Sequence, residues 1–211
     1  WIQANATVSS GYTSSTSFLS KPDAPTSPSV TNVNSSQVNL GWTEDAQGAA
    51  SYTYTFGTNS DYTQNNTSTA TSGTTSVSKT GLTGNTTYYF AIAGVNATGT
   101  GPYTSTASGL TNPGTIDNTT FSLTGIATNI IRISFTVPTG GVTSYIVKYA
   151  VNDPYSTFTT IGSNPTSVPM DITVSSGQLR HIYFKITPVG STGLTGGESS
   201  QISGGSFISR Y

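Results

Sequence analysis

Residues 82–99, LTGNTTYYFAIAGVNATG, decide the reading of this 211-residue chain. A turn rich in Gly and Asn leads into a run with Tyr88, Phe90 and Ile92 on one side and Tyr89, Ala91 and Ala93 on the other. A loop of Asn, Thr and Gly ends it. Alternation with a period of two, between two turn signals, predicts a strand with one buried face. No segment of the chain sustains a 3.6-residue period, so almost no helix is expected.

Working outward, residues 29–33, 37–43, 51–56, 75–78 and 103–108 read as further strands around this one. Val38, Leu40 and Trp42 share a face, as do Tyr52, Tyr54 and Phe56. Asn112-Pro113-Gly114 is a turn signal and an expected boundary. Beyond it the plan repeats more weakly. Ile131, Ile133 and Phe135 imitate the strand of Trp42, and Tyr145, Val147 and Tyr149 imitate that of Tyr52. Residues 181–189 imitate the opening stretch, with Ile182 in the register of Tyr88. A final strand is expected over 200–208, interrupted at Gly204-Gly205 and so offering a gap at the sheet edge to a strand from another copy.

These residues resemble the fibronectin type III domain. Leu82, Thr86, Tyr88, Phe90, Ile92, Asn96 and Gly99 fall in register with its penultimate strand and flanking loops, while Gly84-Asn85 stand where that family has Pro-Gly. The resemblance implies a core Trp at Trp42, a corner tyrosine at Tyr88 and its apolar plug at Leu82, with Phe135 in the place of the Trp in the second half. The expected class is all-β: two tandem immunoglobulin-like or fibronectin type III-like sandwiches, 22–112 and 113–211, behind an extended N-terminal strand and a Ser/Thr linker at 1–21.

Composition narrows function. Apolar residues make up 33% and charged residues only 7%, against about 25% charged in ordinary proteins. Ser and Thr account for 72 residues, so hydroxyls must solvate the surface. The net charge of −1 offers no basic footprint for nucleic acid and no polybasic membrane patch. Near-zero net charge favours association unless glycans oppose it. Few paired carboxylates imply little loss of stability in acid. Cysteine is absent, which excludes disulfides and thiolate metal sites. No apolar run approaches the ~20 residues of a membrane span. The chain opens at Trp1; a trimmed chain and a mature chain with its export signal removed are both open.

No catalytic constellation emerges, and no metal or other cofactor is expected. His181 is the only histidine, the eight carboxylates are scattered, and Glu44-Asp45 is the only adjacent acidic pair, a weak calcium candidate. Tyr62, Tyr103 and Tyr155 are candidate exposed aromatics for contact with sugars. Lys79, Lys148 and Lys185 are available to an isopeptide bond, for which the sequence shows no buried acid. Seven N-x-[S/T] tripeptides occur, at Asn5, Asn34, Asn65, Asn66, Asn85, Asn96 and Asn118. About five are expected by chance in a chain this rich in Asn, Ser and Thr, but all except Asn5 and Asn118 fall in loops predicted here, where an acceptor must lie.

The opening strand raises its own question. Ile2, Ala4, Ala6 and Val8 alternate with polar residues and must bury their apolar face somewhere. Addition to the chain's own sheet, disorder, and donation to an open sheet edge of a neighbouring copy are the alternatives. A 12-residue tether reaches roughly 40 Å when extended, and a repeated head-to-tail contact does not close, giving a filament. In layout and composition this resembles archaeal surface threads and pili assembled by donor strands. Two functions are expected from different classes: an extracellular, self-assembling filament subunit supporting adhesion, or a spacer or glycan-binding module of a larger adhesin, carbohydrate-active enzyme or virion protein. A hydrolase is the poorest fit.

Overall fold

The computed structural model describes residues 19–44, 48–127, 129–162, 164–174 and 181–204. Ile2, Ala4, Ala6 and Val8 lie outside them, as do Asn5, Asp45 and residues 205–211.

Eight strands build the first half: β1 (Thr26–Asn32), β2 (Val38–Thr43), β3 (Ser51–Gly57), β4 (Asn66–Thr71), β5 (Ser76–Lys79), β6 (Thr87–Asn96), β7 (Gly99–Thr100) and β8 (Ala107–Leu110). They form two sheets, β1-β2-β5 and β4-β3-β6, with β7 and β8 both paired to β6. The second half repeats the arrangement with β9 (Ser122–Ala127), β10 (Ile130–Ser134), β11 (Ser144–Val151), β12 (Thr159–Thr160), β13 (Met170–Thr173), β14 (Ile182–Val189) and β15 (Ile202–Gly204), in sheets β13-β10-β9 and β12-β11-β14-β15. Every pairing is antiparallel. Two short 3-10 turns, Tyr62–Gln64 and Asn118–Thr120, are the only helical segments among the described residues.

Side-chain alternation explains both cores. Val38, Leu40 and Trp42 of β2 face Tyr52 and Tyr54 of β3 and Phe90 and Ile92 of β6, all buried in one cluster. Trp42 meets Tyr52 edge-on, with ring centroids 5.5 Å apart. In the second half Ile131 and Ile133 of β10 and Phe135 just beyond it pack with Tyr145, Val147, Phe184 and Ile186. Phe135 meets Tyr145 edge-on at 5.2 Å, repeating the Trp42–Tyr52 geometry. Phe121 lies against Phe135 at 4.9 Å, adding aromatic bulk beside a ring smaller than indole.

The Tyr88 hydroxyl accepts a hydrogen bond from the Thr83 amide at 3.0 Å, and Leu82 packs against the core beneath it. This corner ties the loop before β6 to the strand it feeds. Ile182 holds the equivalent place in β14 and is fully buried, so hydrocarbon replaces the tyrosine there.

Two expectations need correction. The strand placed at 103–108 forms later, as β8, because residues 101–104 bulge. Gly101 N donates to Gly94 O at 2.9 Å and Thr104 N to Ile92 O at 2.8 Å, and the buried Thr104 hydroxyl accepts from Ile92 N at 3.2 Å. In the second half the edge of β14 is not left open by the interrupted last strand. Gly196 N donates to Pro188 O and Ser199 N to Ile186 O, each at 2.9 Å, the Ser199 hydroxyl accepts from Ile186 N at 3.0 Å, and β15 continues the ladder. The same hydroxyl-for-carbonyl exchange thus recurs in both sandwiches.

Candidate interaction surfaces and the interdomain joint

Glu44 accepts a hydrogen bond from the Gly73 amide at 3.0 Å, so this carboxylate ties the end of β2 to the turn between β4 and β5. No group of three or more His, Asp or Glu side chains converges among the described residues. His181 is exposed, and its amide donates to Asn152 Oδ1 at 3.4 Å. The three lysines have other partners. The Lys79 ammonium lies over the Tyr54 ring at 4.8 Å. Lys148 and Lys185 both pair with Glu198, at 2.7 and 3.5 Å. The bond from Lys148 is the main cause that holds the Glu198 carboxyl below its ordinary pKa. Arg132 grips Asp171 with two 2.7 Å bonds and lowers its pKa likewise.

The candidate aromatics divide by role. Tyr62 stacks on Tyr103 with centroids 5.0 Å apart, and its 3-10 turn packs on β3 and β6. Thr55, Ala91 and Ala93, on the outer face of those two strands, are buried. The tyrosine pair therefore serves as a roof over small residues. Tyr155 is 95% exposed, held out on a turn in which Asp153 Oδ1 accepts from its amide at 2.8 Å.

Asparagine side chains do varied work. Asn65 closes a two-bond ring with the backbone of Asn59, accepting from its N at 3.0 Å and donating to its O at 2.7 Å. Asn96 Nδ2 donates to Ser20 O at 2.7 Å. Asn34 accepts from Ser36 N through Oδ1 at 2.8 Å, and Asn34, Asn66 and Asn118 are exposed.

Asn85 sits where the two sandwiches meet. Its backbone adopts a φ of 47°, the left-handed region that Asn tolerates better than most residues. Its amide N donates to Asn112 O at 2.9 Å, its Nδ2 donates to Gly140 O at 3.3 Å, and its Oδ1 accepts from Ser191 N at 3.3 Å. One side chain thereby links the turn before β6 to the β10–β11 and β14–β15 loops of the next sandwich. Gly140, at φ 85°, lies so close to the Gly84 carbonyl that a Cβ would overlap it. A Cβ on Gly190 would sit 2.5 Å from Asn85 Oδ1. The connecting residues are committed as well. Thr111 is fully buried and donates to Thr83 O at 2.8 Å while accepting from Thr86 N at 3.0 Å. Ile116 already belongs to the second core. The sequence marks Asn85 as a sequon and as part of the turn before β6 but not as a joint, because its partners lie 55 and 106 residues further on.

The profile of the family described as "Fibronectin type III domain" matches residues 23–109. No curated protein matches the chain. Among solved structures, a two-domain fibronectin type III segment from chicken tenascin is similar at 21% identity, over 85% of this chain and 97% of that one, with a TM-score of 0.54. At that identity the likeness speaks for the fold. Residues 23–109 therefore match the fibronectin type III profile, and the two halves together have the fold of a tandem type III pair.

Proposed function

We propose that this chain is a non-enzymatic, extracellular spacer that holds its two sandwiches in one fixed relation. The observation that carries this reading is the joint at Asn85. A connection with Thr111 and Ile116 buried at its two ends leaves no free linker, and two bonds from one amide side chain fix the facing loops. Ordinary interdomain contacts permit relative motion unless the interface is built against it. Residual dipolar couplings on the full chain test this: both sandwiches are expected to report one alignment tensor, and Gly140→Val is expected to split it into two. Two tensors in the unaltered chain would overturn the reading.

The homopolymer is the second reading, and β4 supports it. This six-residue strand, NTSTAT, lies at a sheet edge with no charge and no proline, and its pairing with β3 is regular. Edges are usually protected by charge, proline or bulges. The longer β1 carries a proline and a bulge, and β9 of equal length carries a bulge. Residues 2–8 of another copy, in this reading, add to β4, since β8 and β15 already cover β6 and β14. Deleting residues 1–10 is expected to leave folded monomers; polymers unchanged by the deletion would refute it. As a glycan-binding module, the spacer would meet sugars first at Tyr155.

A further inference from the structure

We infer that three of the sequons, Asn34, Asn66 and Asn118, are sites of N-glycosylation in the folded chain, and that Asn65, Asn85 and Asn96 are structural amides that do not take glycan. The inference rests on export and, at Asn85 alone, on the joint; at the other five sites its test is independent of both readings above.

The reaction sets the geometric requirement. The amide nitrogen displaces a lipid-linked pyrophosphate from the anomeric carbon of an oligosaccharide, forms the new C–N bond and loses one proton. One N–H remains, and the new amide prefers to be trans, which puts the sugar on the side of Nδ2 nearest Oδ1. An acceptor therefore needs that side of its nitrogen open to solvent.

Asn65 fails this requirement. Its two bonds to Asn59 N and O close a ring that uses both Oδ1 and Nδ2, and the side chain lies directly over Gly57. A sugar would replace the hydrogen that completes the ring. Asn96 directs its nitrogen at Ser20 O, and Asn85 directs its own at Gly140 O in the joint. Breaking a bond of this kind costs about 1 kcal/mol.

Asn34, Asn66 and Asn118 differ. All three are exposed, and among the described residues nothing accepts a hydrogen bond from their Nδ2. In Asn34 the sequon's own Ser36 donates both its amide and its hydroxyl to Oδ1, at 2.8 and 3.2 Å. Asn96 makes the same turn with Thr98, so the two sites differ in exposure and in the Ser20 carbonyl that accepts from the Asn96 nitrogen. Asn118 opens the 3-10 turn behind the Asp117 cap. Asn66 begins edge strand β4, directly beside its excluded neighbour Asn65.

The topology also gathers the three. Asn34 lies between β1 and β2, next to Asn32, whose side chain bonds Asn112 of the connection. Asn66 pairs with Phe56 at the end of β3, and β3 there runs beside the start of β6, where Asn85 enters the joint. Asn118 follows the connection itself. Glycans here would ring the waist of the molecule and supply the solvation that its sparse charge does not.

The test uses the folded full chain, a lipid-linked oligosaccharide and an oligosaccharyltransferase first shown to glycosylate the six corresponding peptides. Site mapping by mass spectrometry is expected to find glycan on Asn34, Asn66 and Asn118 of the folded chain and little on the other three, a contrast that the peptides lack. The N34Q/N66Q/N118Q variant is expected to take almost none. Glycan on Asn65, Asn85 or Asn96 of the folded chain at levels matching the first three would overturn the inference. So would a folded chain that accepts none where its peptides do.

Discussion

The first sandwich is held by aromatics and a tyrosine corner; the second replaces both with aliphatic packing and ion pairs. Trp42, Tyr52, Tyr54 and Phe90 dominate one core, and six isoleucines and two valines beside Phe135, Tyr145, Phe184 and Met170 fill much of the other. The corner bond from Thr83 to Tyr88 has no counterpart at Ile182. Conversely, every ion pair among the described residues lies in the second sandwich. The backbone exchange at Thr104 and Ser199 is nevertheless the same in both. Side-chain chemistry is therefore interchangeable here in a way that the bulged strand edge is not. Packing asks only for volume and apolarity, whereas a buried N–H asks for an acceptor at one place.

The largest break in this comparison should come from the cores. Trp42→Ala is expected to cost the first sandwich about 3–5 kcal/mol, and Phe135→Ala about 3 kcal/mol in the second, because Phe121 can close on the smaller void. Calorimetry on the full chain reads this as a shift of one transition with the other left in place. Equal costs would show that Phe121 does not compensate.

The shared bulge gives the next effect. Thr104→Val and Ser199→Ala each leave a buried isoleucine amide without its acceptor, and each is expected to cost about 1–3 kcal/mol. Urea denaturation followed by tyrosine fluorescence and amide exchange at Ile92 and Ile186 checks it. A cost at one site alone would end the claim of equivalence.

Acid should separate the halves least. Bonds to Arg132 and Lys148 depress the folded pKa of Asp171 and Glu198. Their contribution is present above the ordinary carboxylate range and is lost as pH falls through the depressed folded values. Below about pH 4 the second sandwich should therefore lose a little melting temperature, more than the first. Both pairs are largely solvated, so the shift is small. A first sandwich that fell as far would contradict the assignment of the ion pairs.

Legibility followed burial. β2, β3 and β6 announce themselves because each alternates large apolar residues with small or polar ones, and Trp42 and Tyr88 could be placed by register alone. β4 has exposed or half-buried residues throughout; NTSTAT carries no hydrophobic signal, and backbone pairing with β3 makes it a strand. The bulge leaves a trace in the sequence: Gly-x-x-Thr at 101–104 and Gly-x-x-Ser at 196–199, whose hydroxyls stand 12 and 13 residues beyond Ile92 and Ile186. The acceptor asparagines looked alike as tripeptides and became different only through their partners.

By itself, then, the sequence determined that the chain is all-β, that it repeats, and which side chains turn inward, since strand alternation is a property of neighbouring residues. Only the tertiary structure decided which amide is a joint, which a loop staple and which stands open to solvent, because the groups that hold Asn85 and Asn96 arrive from distant parts of the chain.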